Sequence, residues 1–492
     1  MADYILAIDQ GTTGSTALLV GSDLAVHGKE TVDFPQHYPR PGWVEHDPEE
    51  IWHSVRRAVR QLLAATGIAP ARIAAIGLTN QRETTLLWER SDGRPVANAI
   101  VWQCRRSAGI CTDLKAAGLE VTIRAKTGLV LDPYFSATKL TWLLREQPGL
   151  QRQAAEGRLA FGTVDTFLAW HLTGGKAHVT DVSNASRTLL MDLLTLDWDV
   201  DLLRTFAVPA PLLPEIVPSA AIYGTTRGLD FLPDGIPVAG MAGDQQAALF
   251  GQACFNSGES KCTYGTGAFL LENTGSTPVA SRTGLLTTVA WQLAGETSYA
   301  LEGSSFIAGA AVQWLRDGLG LVHTAAEIET LARQVPDSGG VVFVPALTGL
   351  GAPHWKSGAR GLISGITRGT SAAHLARATL EGIALQIHDL CRAMAADKGA
   401  PLSLLKADGG AAHNDLLMQL QADLLDKPVS RPQTVETTAL GAAMLAGLAV
   451  GFWRDQAELA TSWREERRFV PQAEAGWREE LLERWAAAVQ RV

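Results

Sequence analysis

The chain has 492 residues, of which 46% are hydrophobic and 19% are charged, and its formal net charge at neutral pH is -9. This length exceeds what one hydrophobic core normally supports, so two domains of about 200–250 residues are expected, and the acidic excess argues against a nucleic-acid-binding surface. The chain begins without a basic region, contains no run of 18 apolar residues, and has five cysteines but no Cys-x-x-Cys pair, which favours free thiols, a cytoplasmic location and no membrane span.

The first motif is a strand–turn–strand unit, with apolar strands predicted at 4–8 and 17–20. The turn between them is rich in glycine and hydroxyl groups and reads Asp9-Gln-Gly-Thr-Thr-Gly-Ser-Thr16. Backbone N–H groups and hydroxyls in such a turn can hold phosphate oxygens, and Asp9 at the strand end can hold Mg²⁺ through water. A hairpin with a capping acid is the alternative that this motif leaves open.

A second motif follows the buried strand predicted at 73–78 and contains the adjacent pair Arg82 and Glu83. On a regular strand these side chains would point to opposite faces, so they can meet one ligand only if the chain turns here. A guanidinium donates to hydroxyl oxygens and a carboxylate accepts from hydroxyl hydrogens, so the pair suits a polyol. A solvated surface pair is the alternative.

Further candidates follow along the first half of the chain. Trp102 ends an apolar segment, and Tyr134 precedes a helix, where packing is its simpler interpretation. The proline-rich segment 208–237 predicts a long irregular connection. A strand at 238–242 then delivers Asp244 to the start of a helix at 245–250, and the domain boundary is expected near 251–258.

The second half begins like the first, with strands predicted at 261–264 and 268–272 around Gly265-Thr266-Gly267. Two such turns, one opening each half, could hold a polyphosphate from both sides. A later strand at 404–407 ends in a glycine pair that suits an adenine or ribose, although a tight β-to-α turn explains it equally well. The segment 438–448 is an Ala/Gly-rich helix suited to close packing, and the alternating strands and helices indicate α/β domains.

Several segments together resemble the glycerol-phosphorylating members of the FGGY carbohydrate kinase family along nearly the whole chain. The segments are 9–13, 80–85, 99–106, 242–251, 263–267, 348–353, 439–443 and 447–453. The resemblance implies two RNase H-like (actin-like ATPase) α/β domains flanking a catalytic cleft, with an N-terminal domain at 1–251 and a C-terminal domain at 252–492. It also implies a homo-oligomer, either a dimer or a tetramer.

The resemblance further implies ATP-dependent phosphorylation of glycerol to sn-glycerol 3-phosphate in glycerol catabolism, with Asp244 as the base of an in-line transfer. The implied glycerol-binding residues are Arg82, Glu83, Trp102, Tyr134, Asp244, Gln245 and Phe269. The implied ATP-binding residues are Thr12, Thr13, Gly14, Thr266, Gly309, Gln313, Gly410 and Asn414. Asp9 and Asp244 would face Mg²⁺ through water.

Three positions depart from the family pattern. Thr16 stands where the family usually has arginine, which predicts either lower ATP affinity or a compensating cation elsewhere. The loop 224–235 lacks the glycine-rich, basic character associated with sugar-bisphosphate inhibition in some bacterial members. His354 stands where tyrosine is common and is interpreted as a packing residue.

Two other functions remain as alternatives at this point. A kinase for a ketopentose or sugar acid would share the ATP-binding half but would need a roomier wall than the one that Trp102 and Phe269 provide. An actin-like or chaperone-like nucleotide switch would hydrolyse ATP without a small-molecule acceptor, and the polyol-type pair Arg82-Glu83 argues against it.

Overall fold

The computed structural model describes residues 3–356 and 358–492. The β-strands are β1 (Tyr4–Gln10), β2 (Gly14–Val20), β3 (Val26–Asp33), β4 (Glu45–His46), β5 (Ile73–Asn80), β6 (Leu86–Glu89), β7 (Ala99–Ile100), β8 (Leu159–Gly162), β9 (Val179–Asp181), β10 (Met191–Asp192), β11 (Asp197–Trp198), β12 (Glu215–Val217), β13 (Ala220–Thr225), β14 (Pro237–Gly243), β15 (Ser260–Tyr264), β16 (Ala268–Gly275), β17 (Leu286–Leu293), β18 (Glu296–Ser305), β19 (Val342–Val344), β20 (Leu362–Ser364), β21 (Leu405–Asp408), β22 (Val429–Pro432) and β23 (Glu465–Phe469).

The α-helices are α1 (Pro48–Thr66), α2 (Ala108–Ala116), α3 (Glu120–Thr127), α4 (Ser136–Glu146), α5 (Leu150–Ala155), α6 (Val164–Leu172), α7 (Val182–Ala185), α8 (Val200–Thr205), α9 (Asp244–Gly251), α10 (Gly309–Asp317), α11 (Glu327–Ala332), α12 (Ala372–Lys398), α13 (Asp415–Leu425), α14 (Thr437–Ala449), α15 (Gln456–Ser462) and α16 (Ala475–Val489). Short 3₁₀ helices lie at Pro70–Arg72, Ala210–Leu212 and Gly410–His413.

Two large sheets, one in each half of the chain, share the same internal order. The first has six strands in the order β13-β14-β5-β1-β2-β3, and the second has seven in the order β17-β18-β16-β15-β21-β22-β23. In each sheet a run of antiparallel strands begins at β1 or β15, and two further strands lie parallel to that first strand. The repeated order confirms the predicted α/β architecture of two RNase H-like units.

Helix α1 shows how local sequence fixes one layer of the first unit. Asp47 caps the helix, because its carboxylate accepts a hydrogen bond from the backbone N–H of Glu49 at 2.9 Å, and Pro48 occupies the first helical turn. One face of the helix is buried, including Ile51 and Val59, and packs in the core with strands of the first sheet. Gly67 ends the helix in a left-handed conformation with φ of 66°.

Helix α14 comes from the second half of the chain but packs on the first sheet. Glycines allow this helix to approach both the sheet and helix α9 closely. A Cβ on Gly77 of β5 would lie 2.1 Å from the carbonyl oxygen of Ala442 in α14, and a Cβ on Gly441 of α14 would lie 1.8 Å from the carbonyl oxygen of Ala247 in α9. The close packing predicted for this Ala/Gly-rich helix is therefore confirmed, and its partner is the other half of the chain.

The prediction of an irregular connection over 208–237 was wrong in part. Strand β12 pairs with β9, and β13 pairs antiparallel with β14 at the edge of the first sheet. The prolines are compatible with these strands because Pro214 and Pro218 flank β12 and Pro237 is the first residue of β14.

The five cysteines are buried free thiols. Within residues 3–356 and 358–492, no helix is both long enough and apolar enough to span a membrane.

Candidate active site

The site begins where the parallel strands β1, β5 and β14 reach the same edge of the first sheet. Asp9 on β1 is paired with Thr79 on β5, and Thr79 is paired with Ala242 on β14. Asp244 follows directly as the first residue of α9. This register brings Asp9, the turn after β5 and Asp244 to one place, although they are up to 235 residues apart in sequence.

The chain turns after β5, which is the condition under which Arg82 and Glu83 can meet one ligand. Glu83 adopts a positive φ of 60°, which is unusual for a residue other than glycine. This turn brings Arg82 and Glu83 into one buried cluster, with exposed fractions of only 3% and 1%. Left-handed backbone at a non-glycine residue is found preferentially at functional sites.

Two arginines and three carboxylates form this cluster. Arg82 donates from Nη1 to Glu302 Oε2 at 2.5 Å and from Nη2 to Glu302 Oε1 at 3.0 Å, and its Nε lies 3.0 Å from Asp244 Oδ1. Arg187 donates from Nε to Glu83 Oε1 at 2.7 Å and from Nη2 to Glu302 Oε1 at 2.9 Å. The ion pairs thus join both members of the predicted polyol-binding pair to the second sheet.

Arg187 and Glu302 were not predicted from the sequence, although each carries a recognisable signal. Arg187 is the charged residue in the otherwise uncharged segment 182–190, and Glu302 interrupts the apolar part of β18. Both side chains are fully buried. A charge buried in such surroundings needs ionic partners.

Charge within the cluster is distributed unevenly between the two buried glutamates. Burial raises the pKa of Glu83 above its ordinary value, and the charges of Arg187 and Arg82 offset this only in part. Burial acts the same way on Glu302, but there Arg187 and Arg82 prevail and lower its pKa to about 2. Glu302 is therefore the anion that neutralises the arginines, whereas the charged form of Glu83 is less well stabilised.

Three aromatic rings stand beside the cluster. The ring centroid of Trp102 lies 5.6 Å from that of Tyr134 and 6.5 Å from that of Phe269, with edge-to-face geometry in both cases. Burial, together with the charge of Glu83, raises the pKa of Tyr134, so its phenol is neutral and can donate a hydrogen bond. The rings and the ionic cluster together form a surface with one apolar side and one hydrogen-bonding side.

Gln245 is held by a lysine that the sequence analysis did not single out. Lys261 Nζ donates to Gln245 Oε1 at 2.5 Å and to Thr263 Oγ1 at 2.8 Å, and the lysine is fully buried. Burial lowers the pKa of Lys261. Because its carbonyl oxygen is engaged, Gln245 is left with its NH₂ group as the donor for a ligand.

A second part of the site is a pocket of about 380 Å³ in the second half of the chain. It is lined by five of the residues predicted to bind ATP, namely Thr266, Gly309, Gln313, Gly410 and Asn414. The parallel register of β15 with β21 places the turn 265–267 beside the turn after Asp408. The lining also includes Ala325, Ala411, His413 and Leu417, which gives the pocket apolar and polar walls.

Two of the pocket residues have a clear local reason for their identity. A Cβ on Gly309 would lie 2.6 Å from the carbonyl oxygen of Gly265, so only glycine fits there. Asn414 caps α13 by accepting from the backbone N–H of Leu417 at 2.8 Å. Its Oδ1 is thus committed to the helix, and its Nδ2 is the group that it can offer to a ligand.

The other three predicted ATP-binding residues are not among the pocket-lining residues: Thr12 and Thr13 lie in the turn between β1 and β2, and Gly14 is the first residue of β2. Trp102 Nε1 donates to Thr12 Oγ1 at 3.0 Å, so this turn touches the aromatic rings. Gly14 is confined by β3, because a Cβ there would lie 2.8 Å from Asp33 Oδ1. The turn therefore borders the polyol-type surface on the side of Asp9.

Asp9 lies in a strongly acidic environment. Burial raises its pKa to about 8, with further upward contributions from Asp244 and Glu436 and an opposing one from Lys29. In the described part of the chain, no group of three or more histidine, cysteine or carboxylate side chains is gathered as a metal site. Two carboxylates suit Mg²⁺ that is held mainly by phosphates and water, which is its usual coordination in such sites.

The interpretation of His354 as a packing residue is incomplete. Its Nε2 lies 3.3 Å from Asp389 Oδ2, and the same oxygen accepts from Trp485 Nε1 at 2.8 Å. His354 therefore joins a small polar network in the second half of the chain.

The repeated sheet and the paired turns are those of a phosphotransferase with an actin-like fold, and the comparisons identify its family. Models of the FGGY family of carbohydrate kinases match this chain, the N-terminal domain model at residues 4–251 and the C-terminal domain model at 260–450. The chain belongs to the FGGY family.

Individual relatives and solved structures show which members of the family the chain is similar to. The chain is 59% identical to a glycerol kinase of Myxococcus xanthus, over 100% of this chain and 99% of the relative. It is 56% identical to a glycerol kinase of Carboxydothermus hydrogenoformans, over 99% of this chain and 98% of the relative. A Plasmodium falciparum glycerol kinase solved with ADP superposes with a TM-score of 0.92 at 37% identity, over 99% of this chain and 98% of the other. A gluconate kinase from Lactobacillus acidophilus, at 24% identity and a TM-score of 0.88, shares the fold.

Proposed function

We propose that the protein transfers the γ-phosphoryl group of ATP to glycerol and forms sn-glycerol 3-phosphate. The observation that carries this proposal is the single cluster in which Arg82, Glu83 and Asp244 meet beside the rings of Trp102, Tyr134 and Phe269. Its similarity to glycerol kinases over the full chain supports the same substrate.

Glycerol fits the two-sided surface because it has three hydroxyl groups on a short carbon chain. Arg82, the phenol of Tyr134 and the NH₂ group of Gln245 donate to its oxygens, while Glu83 accepts from a hydroxyl hydrogen. Trp102 and Phe269 cover the carbon side.

Asp244 is the proposed base. Its side chain is 30% exposed, which leaves it open to substrate. Within the described residues its contacts fall on Oδ1, which meets Arg82 Nε at 3.0 Å and the backbone N–H of Gln245 at 2.7 Å. Oδ2 is therefore the oxygen that is proposed to orient the attacking hydroxyl and take its proton.

ATP is proposed to bind between the two Gly/Thr turns. Its adenosine would occupy the pocket lined by Thr266, Gly309, Gln313, Gly410 and Asn414, with the phosphates directed toward Thr12, Thr13 and Gly14. Asp9 and Asp244 would hold water molecules on Mg²⁺. When bound, Mg²⁺ supplies positive charge that neutralises the transferring phosphoryl group.

Further features of the proposal concern the whole molecule. We place the domain division at 251/252 in sequence, the enzyme in the cytoplasm and its role in glycerol catabolism. The expected assembly is a dimer or tetramer of this chain, with no nucleic-acid partner.

The test is ADP release from Mg-ATP with no acceptor, glycerol, dihydroxyacetone, xylulose, ribulose or gluconate. Release that depends on glycerol and prefers it over the others is expected. Preference for a sugar or sugar acid would overturn the substrate, and release without any acceptor would identify a nucleotide switch. In the same assay Asp244→Asn is expected to lower the turnover number by about 10²–10⁴-fold, the usual range for a lost general base. Near-normal turnover would remove Asp244 from that role.

A further inference from the structure

One face of the first sheet carries a short row of polar side chains beside Asp9. Asp9 on β1 is paired with Thr16 on β2, and Thr16 is paired with Thr31 on β3. The hydroxyls of Thr16 and Thr31 are 2.9 Å apart, which shows that these side chains share a face. Lys29 is two residues from Thr31 on the same strand, so its side chain also lies on this face.

The same face is covered by helix α14. Ala7 and Leu18, which belong to it, pack in one core cluster with Ala443 and Met444 of that helix. Glu436 immediately precedes α14 and lies at the end of the helix that is nearest to Asp9 and Lys29. The row of polar side chains therefore ends at a junction between the first sheet and the second half of the chain.

This junction is rich in negative charge. The negative charges of Asp244 and Glu436 both raise the pKa of Asp9. The phosphates of the proposed nucleotide would add several more negative charges. Strands β1 and β2 contain no lysine or arginine, and Thr16 is uncharged. Like charges that are gathered where water is partly excluded repel one another, so a cation besides Mg²⁺ would stabilise phosphates bound here.

Two nearby cations are already committed to other partners. Arg82 is paired with Glu302 and Asp244, and Lys261 is fully buried against Gln245. Lys29 is different, because its side chain is 42% exposed and its positive charge lowers the pKa of Asp9.

Lys29 Nζ contacts a carboxylate oxygen of Glu436, whose side chain is 35% exposed. An ion pair at such exposure contributes little net stability, so exchanging one anionic partner for another is easy. The lysine side chain is flexible and carries three donors, which suits it to a phosphate oxygen.

We propose that Lys29 is a ligand of the nucleotide phosphates and that it rests on Glu436 when no nucleotide is bound. It thereby supplies, from β3, the positive charge that Thr16 on β2 does not. The inference rests on the proposed use of ATP, but it does not depend on glycerol being the acceptor.

The test compares four variants in the binding of Mg²⁺-β,γ-imido-ATP, measured by titration calorimetry without acceptor. Lys29→Met is expected to weaken binding by about 10- to 150-fold, as for the loss of a charged hydrogen bond, and Lys29→Arg is expected to keep it within about threefold. Glu436→Gln is expected to strengthen binding or leave it unchanged, because it removes a negative charge and frees the lysine. Lys115→Met is the matched control, since Lys115 forms a similarly exposed pair with Glu120 at 3.1 Å, with side chains 47% and 44% exposed.

A loss of affinity in Lys29→Met without a loss in Glu436→Gln separates a phosphate ligand from a tether between the two halves. If Glu436→Gln also weakens binding, the pair is a tether and the proposal is overturned. It is also overturned if Lys29→Met behaves like Lys115→Met. Because acceptor is absent, a failure of the glycerol assay leaves this measurement intact, and kinetic runs on the wild type show separately which acceptor is used.

Discussion

The substitution Arg187→Met tests whether the buried ion-pair cluster keeps Glu83 ready to bind glycerol. Methionine fills much of the same volume but removes the donors to Glu83 at 2.7 Å and to Glu302 at 2.9 Å. Glu302 keeps its two bonds to Arg82, whereas the nearest remaining cation to Glu83 is Arg82 Nε at 3.9 Å. The variant therefore leaves Glu83 as the buried carboxylate with the weakest compensation.

This geometry predicts the effect of Arg187→Met on both the free energy of unfolding and the kcat/KM for glycerol. Removing one partner of a buried ion pair is expected to lower the free energy of unfolding by about 3–5 kcal/mol. Burial already raises the pKa of Glu83, and the loss of the Arg187 charge, which lowers it, is expected to raise this pKa further and to favour the protonated carboxyl. Loss of one hydrogen bond from glycerol to a charged acceptor costs about 1.5–3 kcal/mol, or about 10- to 150-fold in kcat/KM for glycerol. The loss is expected to shrink as pH rises, because Glu83 ionises again.

The assay is steady-state kinetics from pH 6 to 9 together with urea unfolding. Arg377→Met is the matched control, since Arg377 donates to the largely buried Glu381 at 2.9 Å within α12. The control is expected to lose stability without a change in the KM for glycerol. Arg187→Lys keeps the charge and provides a second variant if the first does not fold, with a smaller loss expected. A normal, pH-independent glycerol response in a folded Arg187→Met protein would refute the reasoning.

Three further predictions concern the wall, the core and the junction of the two halves. Phe269→Ala is expected to weaken glycerol binding by about 1–3 kcal/mol with little change in the KM for ATP, and an unchanged KM for glycerol would place the wall elsewhere. Burial lowers the pKa of His46 to about 4, so His46 is neutral in the folded protein near neutral pH. Its contribution to the free energy of unfolding is therefore complete above pH 6.5 and is lost as pH falls toward 4. Relative to His46→Gln, the wild type should therefore lose up to about 1.4 kcal/mol of unfolding free energy per pH unit in that window; parallel urea-unfolding curves would contradict this. Gly441→Ala, whose Cβ would lie 1.8 Å from Ala247 O, should lower stability by about 1–3 kcal/mol in thermal unfolding, whereas Gly476→Ala, with open space around it, should not.

Local sequence determined the elements that carry the site. The strand–turn–strand units at the start of each half, Asp244 at the start of α9 and Asn414 as the cap of α13 follow from apolar runs, glycine positions and capping residues, which act over a few residues. The need for a turn at Glu83 also followed from the opposite faces of a strand. The repeated pattern was sufficient to predict two similar α/β units.

Tertiary structure alone decided which of these elements meet. Arg82 and Glu302 are 220 residues apart, and Arg187 is 104 residues from Glu83, so no local pattern could pair them. The position of α14 on the first sheet likewise depends on which backbone segments meet Gly77 and Gly240 after folding. Buried ion pairs and close backbone contacts depend on the neighbours that long-range packing brings together. The motifs could therefore be predicted from the sequence, whereas the buried ion-pair cluster that joins them could not.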